Sequence, residues 1–247
     1  MMFRTAGRLV WIAFEIAGAI FDYFFDVVLN APKNLPAARA AWMQRSARRQ
    51  LKVFKCVPGV SGSIPKSGLL VSNHLGYFDI LLICSVAPAV FVSRADVRGW
   101  PLFGWLAKLG GTIFIQRERR MDVGEANREI QTALDAGLLL VVFPEGTSSN
   151  GETILPFRAS LLEPALRGGY EISIACLQYE LDDGDPKTEV CYWGEHTFFP
   201  HLLNLLGKKS IRAKLRFGKF NSTTADRKEL AEQLHAAVLE LRAQGAK

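Results

Sequence analysis

From residue 69 onward the chain alternates short apolar runs with stretches of helical periodicity, and this rhythm limits the folds open to it. Leu69–Ser72, Ala89–Ser93, Thr112–Gln116, Leu138–Phe143, Ile172–Gln178, Glu189–Trp193 and Ile211–Phe217 read as strands, being short, apolar and bounded by turn residues. Helical patterns fall between them over 78–86, 101–108, 121–136, 160–167, 197–206 and 225–243. The last places Leu230, Leu234, Val238 and Leu241 on one face, with Thr224 or Asp226 in position to cap it. Such alternation predicts an α/β domain with a mostly parallel central sheet flanked by helices. We assign it to residues 58–247, with 58–68 as a Gly/Ser/Pro loop, and treat 1–57 as a separate N-terminal helical element. Ligands of such sheets gather beyond the carboxyl ends of the strands, so candidate chemistry is sought there.

Three polar clusters stand at those ends. The first is Asn73-His74-Leu75-Gly76-Tyr77-Phe78-Asp79, where an imidazole precedes a carboxylate by five residues. Facing partners on one helix sit three or four apart, so this spacing fits a loop-to-helix junction, with His74 before the helix and Asp79 in its first turns. A histidine held by a carboxylate can take a proton from a hydroxyl at neutral pH. The second cluster, Gly110-Gly111-Thr112-Ile113-Phe114-Ile115-Gln116-Arg117, is a strand ending in an arginine. In the third, Leu139–Phe143 stops abruptly at Pro144-Glu145-Gly146-Thr147-Ser148-Ser149. Taken singly, His74 with Asp79 equally describes a surface histidine beside a capping acid. Arg117 or Glu145 alone equally describes a salt bridge at the sheet rim. Their recurrence at successive strand ends favours a site.

NHLGYFD, GGTIFIQR and FPEGTSSNG, in this order and spacing, resemble the signature blocks of the glycerolipid acyltransferases, the lysophosphatidate acyltransferase group, over about residues 69–180. The resemblance implies transfer of a fatty acyl group from an acyl-CoA or acyl carrier protein thioester to the hydroxyl of a lysolipid acceptor, without a further cofactor or metal. It implies His74 as general base and Asp79 as the group that fixes its tautomer. Asn73, Arg94, Arg117, Glu145, Gly146 and Thr147 are implied on the substrate side, with Arg117 on the acceptor phosphate and Glu145 reaching a glycerol hydroxyl or a cationic partner. Asn73 also suits a role in orienting its loop. With no GxSxG elbow and no cysteine beside a histidine, direct attack on the thioester is expected rather than an acyl-enzyme. The third block commonly reads Glu-Gly-Thr-Arg, whereas Ser148 stands here in place of the arginine. Lysophosphatidate is the first acceptor expected, and lyso-ornithine lipid or another lysophospholipid the alternative. A hydrolase using the same pair, or a non-catalytic lipid-binding protein, are the competing functions.

The charge adds a partner. Residues 1–60 carry nine Lys/Arg against three acids, which is the whole net charge of +6; the remainder is neutral. The basicity therefore belongs to one element and not to a nucleic-acid-binding face. Residues 9–29 are almost wholly apolar, yet Arg4, Arg8, Glu15, Asp22 and Asp26 fall in a stripe about 40° wide on a helical wheel. A second helix over 36–54 carries Arg45, Arg48, Arg49 and Lys52. One reading seats the pair in the phospholipid surface on the cytoplasmic face of a membrane, arginines on the headgroups. A second makes the first helix span. In a third, both helices pack on the core through Arg–acid pairs. No cleavage site for a leader follows residue 29. Four cysteines without a CxxC pair or metal-ligand rhythm read as reduced core thiols. The aromatic segment from Trp193 to His201 reads as packing or as lining for an acyl chain.

Overall fold

In the computed structural model, which describes residues 2–115, 120–162, 166 and 168–245, seven strands form one sheet among the described residues. They are β1 (Cys56–Ser61), β2 (Gly68–Ser72), β3 (Ala89–Arg94), β4 (Ile113–Ile115), β5 (Leu139–Val142), β6 (Ile172–Glu180) and β7 (Ile211–Phe220). Their order is β1-β7-β6-β2-β5-β3-β4. The run from β6 through β2, β5 and β3 to β4 is parallel, β7 is antiparallel to β6, and β1 lies parallel to β7 at the edge. The α/β architecture with a mostly parallel sheet flanked by helices is thus the one expected from the alternation of patterns.

Two elements differ from the sequence reading. β1 begins at Cys56, runs across the division drawn after residue 57 and ends within what reads as a loop. Only Cys56 of this strand is buried. It therefore has no apolar run to announce it, and its Pro58 is tolerated because the strand lies at an edge. Glu189–Trp193, expected as a strand, is not one. Its first residue closes a short helix (Pro186–Glu189), and the rest crosses over the loop after β2, where the Tyr192 N–H donates to the Leu75 carbonyl at 2.7 Å. Cys191 and Val190 are buried by that crossing, which is why the segment is as apolar as a strand.

The sheet is buried on both faces, as its continuous apolar strands require. Leu70, Leu139, Val141, Ala175 and Leu177 face one layer, built from α2 (Leu35–Val53), α3 (Phe78–Val86) and α7 (Phe198–Gly207). Leu69, Val71, Leu140, Val142 and Cys176 face the other, built from α5 (Arg120–Asp135) and α8 (Arg227–Ala243). Asp226 caps α8, accepting from the Lys228 and Glu229 amides at 2.8 and 3.0 Å.

The N-terminal helix α1 (Met2–Tyr23) continues through a π-helical turn, Phe24–Leu29, and turns its polar stripe inward. Arg49 of α2 pairs with Glu15 at 3.2 Å and with Asp22, while Arg45 pairs with Asp26. Arg48 donates to the Ser85 carbonyl at 2.7 Å. Arg8 is buried, and its guanidinium donates to the carbonyls of Leu206, Lys208 and Lys209 where α7 ends. The arginines expected on lipid headgroups are therefore engaged within the protein. What remains outside is apolar: Phe3, Val10, Trp11, Phe14, Phe21, Phe24, Phe25 and Val28 are exposed. Among the described residues, no helix is long and apolar enough to cross a membrane.

Arg8 ties α1 to the end of α7, beside Arg4, which donates to the Gly207 carbonyl at 3.0 Å, and a guanidinium suits three divergent carbonyls better than an ammonium does. Arg8→Ala is expected to lower stability by about 2–3 kcal/mol, seen as an earlier urea midpoint at unchanged slope. Arg8→Lys should recover only part of that loss.

Candidate active site

The NHLGYFD segment leaves β2 and enters α3 through a tight loop, and the site grows from the way this loop is pinned. Asn73 extends the sheet by one rung. Its side-chain amide donates to the Leu177 carbonyl at 3.1 Å and accepts from the Leu177 N–H at 2.7 Å, so β2 stays joined to β6 past its last residue. Asn73 is buried and both ends of its amide are used. It orients the loop by tying β2 to β6.

Asp79 lies in the first turn of α3 with its carboxylate wholly buried. Its Oδ2 accepts from His74 Nδ1 at 2.8 Å, from the Leu75 amide at 2.6 Å and from the Gly76 amide at 3.0 Å. Its Oδ1 accepts from the Tyr179 hydroxyl at 2.6 Å. Four donors on one carboxylate offset much of the desolvation of a buried charge. The expected loop-to-helix geometry of the pair is present. Because Asp79 accepts at Nδ1, the neutral imidazole carries its proton there and keeps a lone pair on Nε2. That nitrogen has no protein partner among the described residues, and the side chain is 21% exposed. The ring is braced by stacking on Phe143, with centroids 4.2 Å apart and planes 15° from parallel.

Gly76 makes the loop possible. Its φ of +153° lies in the region that disfavours side chains, and a Cβ there would stand 2.8 Å from the Tyr192 Cβ and 2.9 Å from its nitrogen.

Glu145 stands elsewhere than the sequence suggested. It is buried beneath the loop, its Oε1 accepting from the His74 backbone N–H at 2.6 Å and its Oε2 from the Leu155 N–H at 2.9 Å. Burial raises its pKa, and the two amide donors act against that rise. Both oxygens accept from backbone, so Glu145 holds the loop after β2 from below. Gly146 follows in a tight turn with φ +77°, its N–H donating to the Phe143 carbonyl at 3.1 Å, and Thr147 is exposed at the tip. Ser149 N–H donates to the His74 carbonyl at 3.0 Å, and the Ser148 hydroxyl donates to the Tyr192 carbonyl.

Arg94, at the end of β3, is exposed and pairs with Asp96 at 3.1 Å; no contact joins it to His74. Arg117 lies outside the described residues. Sequence reasoning missed Phe143, Tyr179 and Tyr192, which the fold brings around His74 and Asp79 from other strands and loops. Of the aromatic segment, His201 accepts from or donates to the Tyr77 hydroxyl at 2.9 Å. Burial, with a smaller contribution from His196, lowers the His201 pKa to about 4, so it stays neutral. Tyr77, Tyr192, Phe198 and His201 form one aromatic wall beside the His74 loop.

Comparison with known proteins bears on this arrangement. A family model described as Acyltransferase matches residues 59–180, which include all three blocks. A lyso-ornithine lipid O-acyltransferase of Pseudomonas aeruginosa is 38% identical over 72% of this chain and 69% of its own length. A 1-acyl-sn-glycerol-3-phosphate acyltransferase of Neisseria gonorrhoeae is 32% identical over 52% of this chain and 50% of its own. The crystal structure of the 1-acyl-sn-glycerophosphate acyltransferase PlsC of Thermotoga maritima superposes with a TM-score of 0.65 at 23% identity. It covers 98% of this chain and 96% of that one, a likeness of fold. The chain belongs to the glycerolipid acyltransferase family, and it is an enzyme of the acyltransferase class.

Proposed function

We propose that this enzyme acylates the free hydroxyl of a lysolipid at a membrane surface, using the thioester of acyl-CoA or of acyl carrier protein as donor. The observation that carries the reading is the His74–Asp79 pair, with Nδ1 committed to a buried carboxylate and Nε2 presented outward. The acceptor hydroxyl gives its proton to Nε2 as its oxygen attacks the thioester carbonyl carbon. Asp79 stabilises the imidazolium that results. Collapse of the tetrahedral intermediate breaks the carbon–sulfur bond, and the departing thiolate takes the proton back from His74. Cysteine does not serve as an acyl carrier in this scheme, since burial raises the Cys191 and Cys56 thiols to about 12 and leaves them protonated.

Two observations shift the favoured acceptor from lysophosphatidate to lyso-ornithine lipid. Ser148 stands where an arginine would meet a phosphate, and its hydroxyl is used on the Tyr192 carbonyl. The relatives named for lyso-ornithine lipid also span more of this chain than that named for 1-acyl-sn-glycerol-3-phosphate, 72% and 69% against 52%. Lysophosphatidate remains the second reading, carried by Arg117. The bare outer face of α1 supports monotopic attachment: its exposed Phe and Trp side chains would enter the interface of the cytoplasmic leaflet while the acids and arginines stay paired beneath.

Purified enzyme given a labelled acyl donor is expected to acylate lyso-ornithine lipid faster than lysophosphatidate, with no thioester loss when the acceptor is omitted. Rapid loss without acceptor would mark a hydrolase. His74→Ala should lower transfer by about 10²–10⁴-fold. Full activity in that variant would refute the mechanism. Gly76→Ala should cost about a hundredfold by pushing the loop off Tyr192. Gly124→Ala, in α5 where an added Cβ meets nothing within 4 Å, should leave turnover unchanged. Phe14→Glu with Phe21→Glu should abolish cosedimentation with phospholipid vesicles while leaving the circular dichroism spectrum intact.

A further inference from the structure

Asp79 is held unevenly. Three donors converge on Oδ2, and all three come from the loop that carries the base: His74, Leu75 and Gly76. Oδ1 faces the other way, into the core, and its partner is the hydroxyl of Tyr179 at 2.6 Å. Among the described residues no other group bonds to that oxygen. Tyr179 belongs to no sequence block around the site. It sits one residue from the end of β6, opposite Ala213 of β7, on the stretch by which β6 outruns β2. The Asn73 amide carries the pairing to Leu177, and two residues on, the same face of β6 delivers Tyr179 beneath α3. Its ring lies 5.8 Å from that of Phe78, so packing fixes the direction of the hydroxyl.

We propose that Tyr179 is a positioning residue for the His74 base, acting through Asp79 by holding Oδ1 so that Oδ2 faces Nδ1. The inference rests on the general-base reading of His74 and extends it from a pair to a chain of three: imidazole, carboxylate, phenol. The phenol can only donate here. Its hydroxyl is fully enclosed, and burial, with the adjoining Asp79 charge second, keeps its proton on far above neutral pH. A donor that cannot ionise keeps the carboxylate anchored at every pH at which the enzyme works. It also draws off part of the carboxylate charge, so the imidazolium formed during transfer is held firmly enough to form and loosely enough to return its proton. The other titratable groups near this chain are Glu145, which grips the His74 amide, and the Cys56 and Cys191 thiols, both neutral. None of them touches Oδ1.

Tyr179→Phe keeps the ring and removes the hydroxyl. The charge left unshared on the carboxylate then draws harder on the imidazolium. The acidic limb of the kcat/KM profile should move to higher pH by about half to one pH unit, and kcat at pH 7 should fall about fivefold. KM for the lysolipid should not change. If Tyr179→Phe folds poorly, 3-fluorotyrosine placed at 179 by suppression preserves the packing and makes a stronger donor. The limb should then move to lower pH. A wild-type pH profile in both variants, with His74→Ala inactive in the same assay, would overturn the role of Tyr179 and leave the general base standing. An active His74→Ala would overturn both. A uniform loss at every pH, with no movement of the limb, would reduce Tyr179 to a packing residue and also defeat the proposal.

Discussion

A carboxylate without solvent is the constraint around which the loop between β2 and α3 is shaped. Placing the Asp79 charge in the core would cost several kcal/mol if it were unpaired. The chain meets that cost by folding residues 74–76 back over it, so that two amides and one imidazole point at a single oxygen. The loop conformation is thus a consequence of satisfying Asp79, and the orientation of the imidazole comes with it. Gly76 is needed because its amide can turn inward only at a φ that a side chain would resist, against the Tyr192 backbone. Glu145 repeats the device from below, a second buried carboxylate gripping the His74 amide and the Leu155 amide together. His74 is held at its ring by an acid of α3 and at its backbone by an acid of the turn after β5.

The N-terminal helix applies the same economy to a surface. An ordinary surface helix buries its apolar stripe and shows its charges; α1 buries Ile12, Ala19 and Tyr23 but turns its charged stripe toward the protein as well. Its acids meet Arg45 and Arg49 of α2, and its Arg8 finds the carbonyls at the end of α7. Phe, Trp and Val side chains are left exposed on the outer face. An apolar surface of that kind is costly in water and favourable in a lipid interface, which is what supports the proposed attachment.

How much of this the sequence shows depends on whether a feature is periodic. The apolar runs of β2, β3, β5 and β6 are legible because strands buried on both faces must be continuously apolar. The His–Asp junction is legible because a five-residue spacing suits no single helix face. The narrow charged stripe of α1 is legible too, yet its direction is not, since a helical wheel gives the angle between side chains and says nothing of which side meets the core. Glu145 shows the same limit: Pro-Glu-Gly marks a turn at a strand end, but whether the carboxylate points up to solvent or down to the His74 amide is decided by a contact 71 residues away in sequence. β1 stays hidden because an exposed edge strand has no apolar pattern to keep. Tyr179 stays hidden because it is one more large side chain in an apolar strand until the fold sets its hydroxyl against Asp79.

Ser148 connects these points. Three segments meet around His74: the loop after β2, the turn after β5 and the stretch that carries Tyr192. They are laced by three hydrogen bonds, from Ser149 N–H to the His74 carbonyl, from Tyr192 N–H to the Leu75 carbonyl and from the Ser148 hydroxyl to the Tyr192 carbonyl. In this chain the residue at 148 is a serine whose hydroxyl is engaged in closing these segments over the loop.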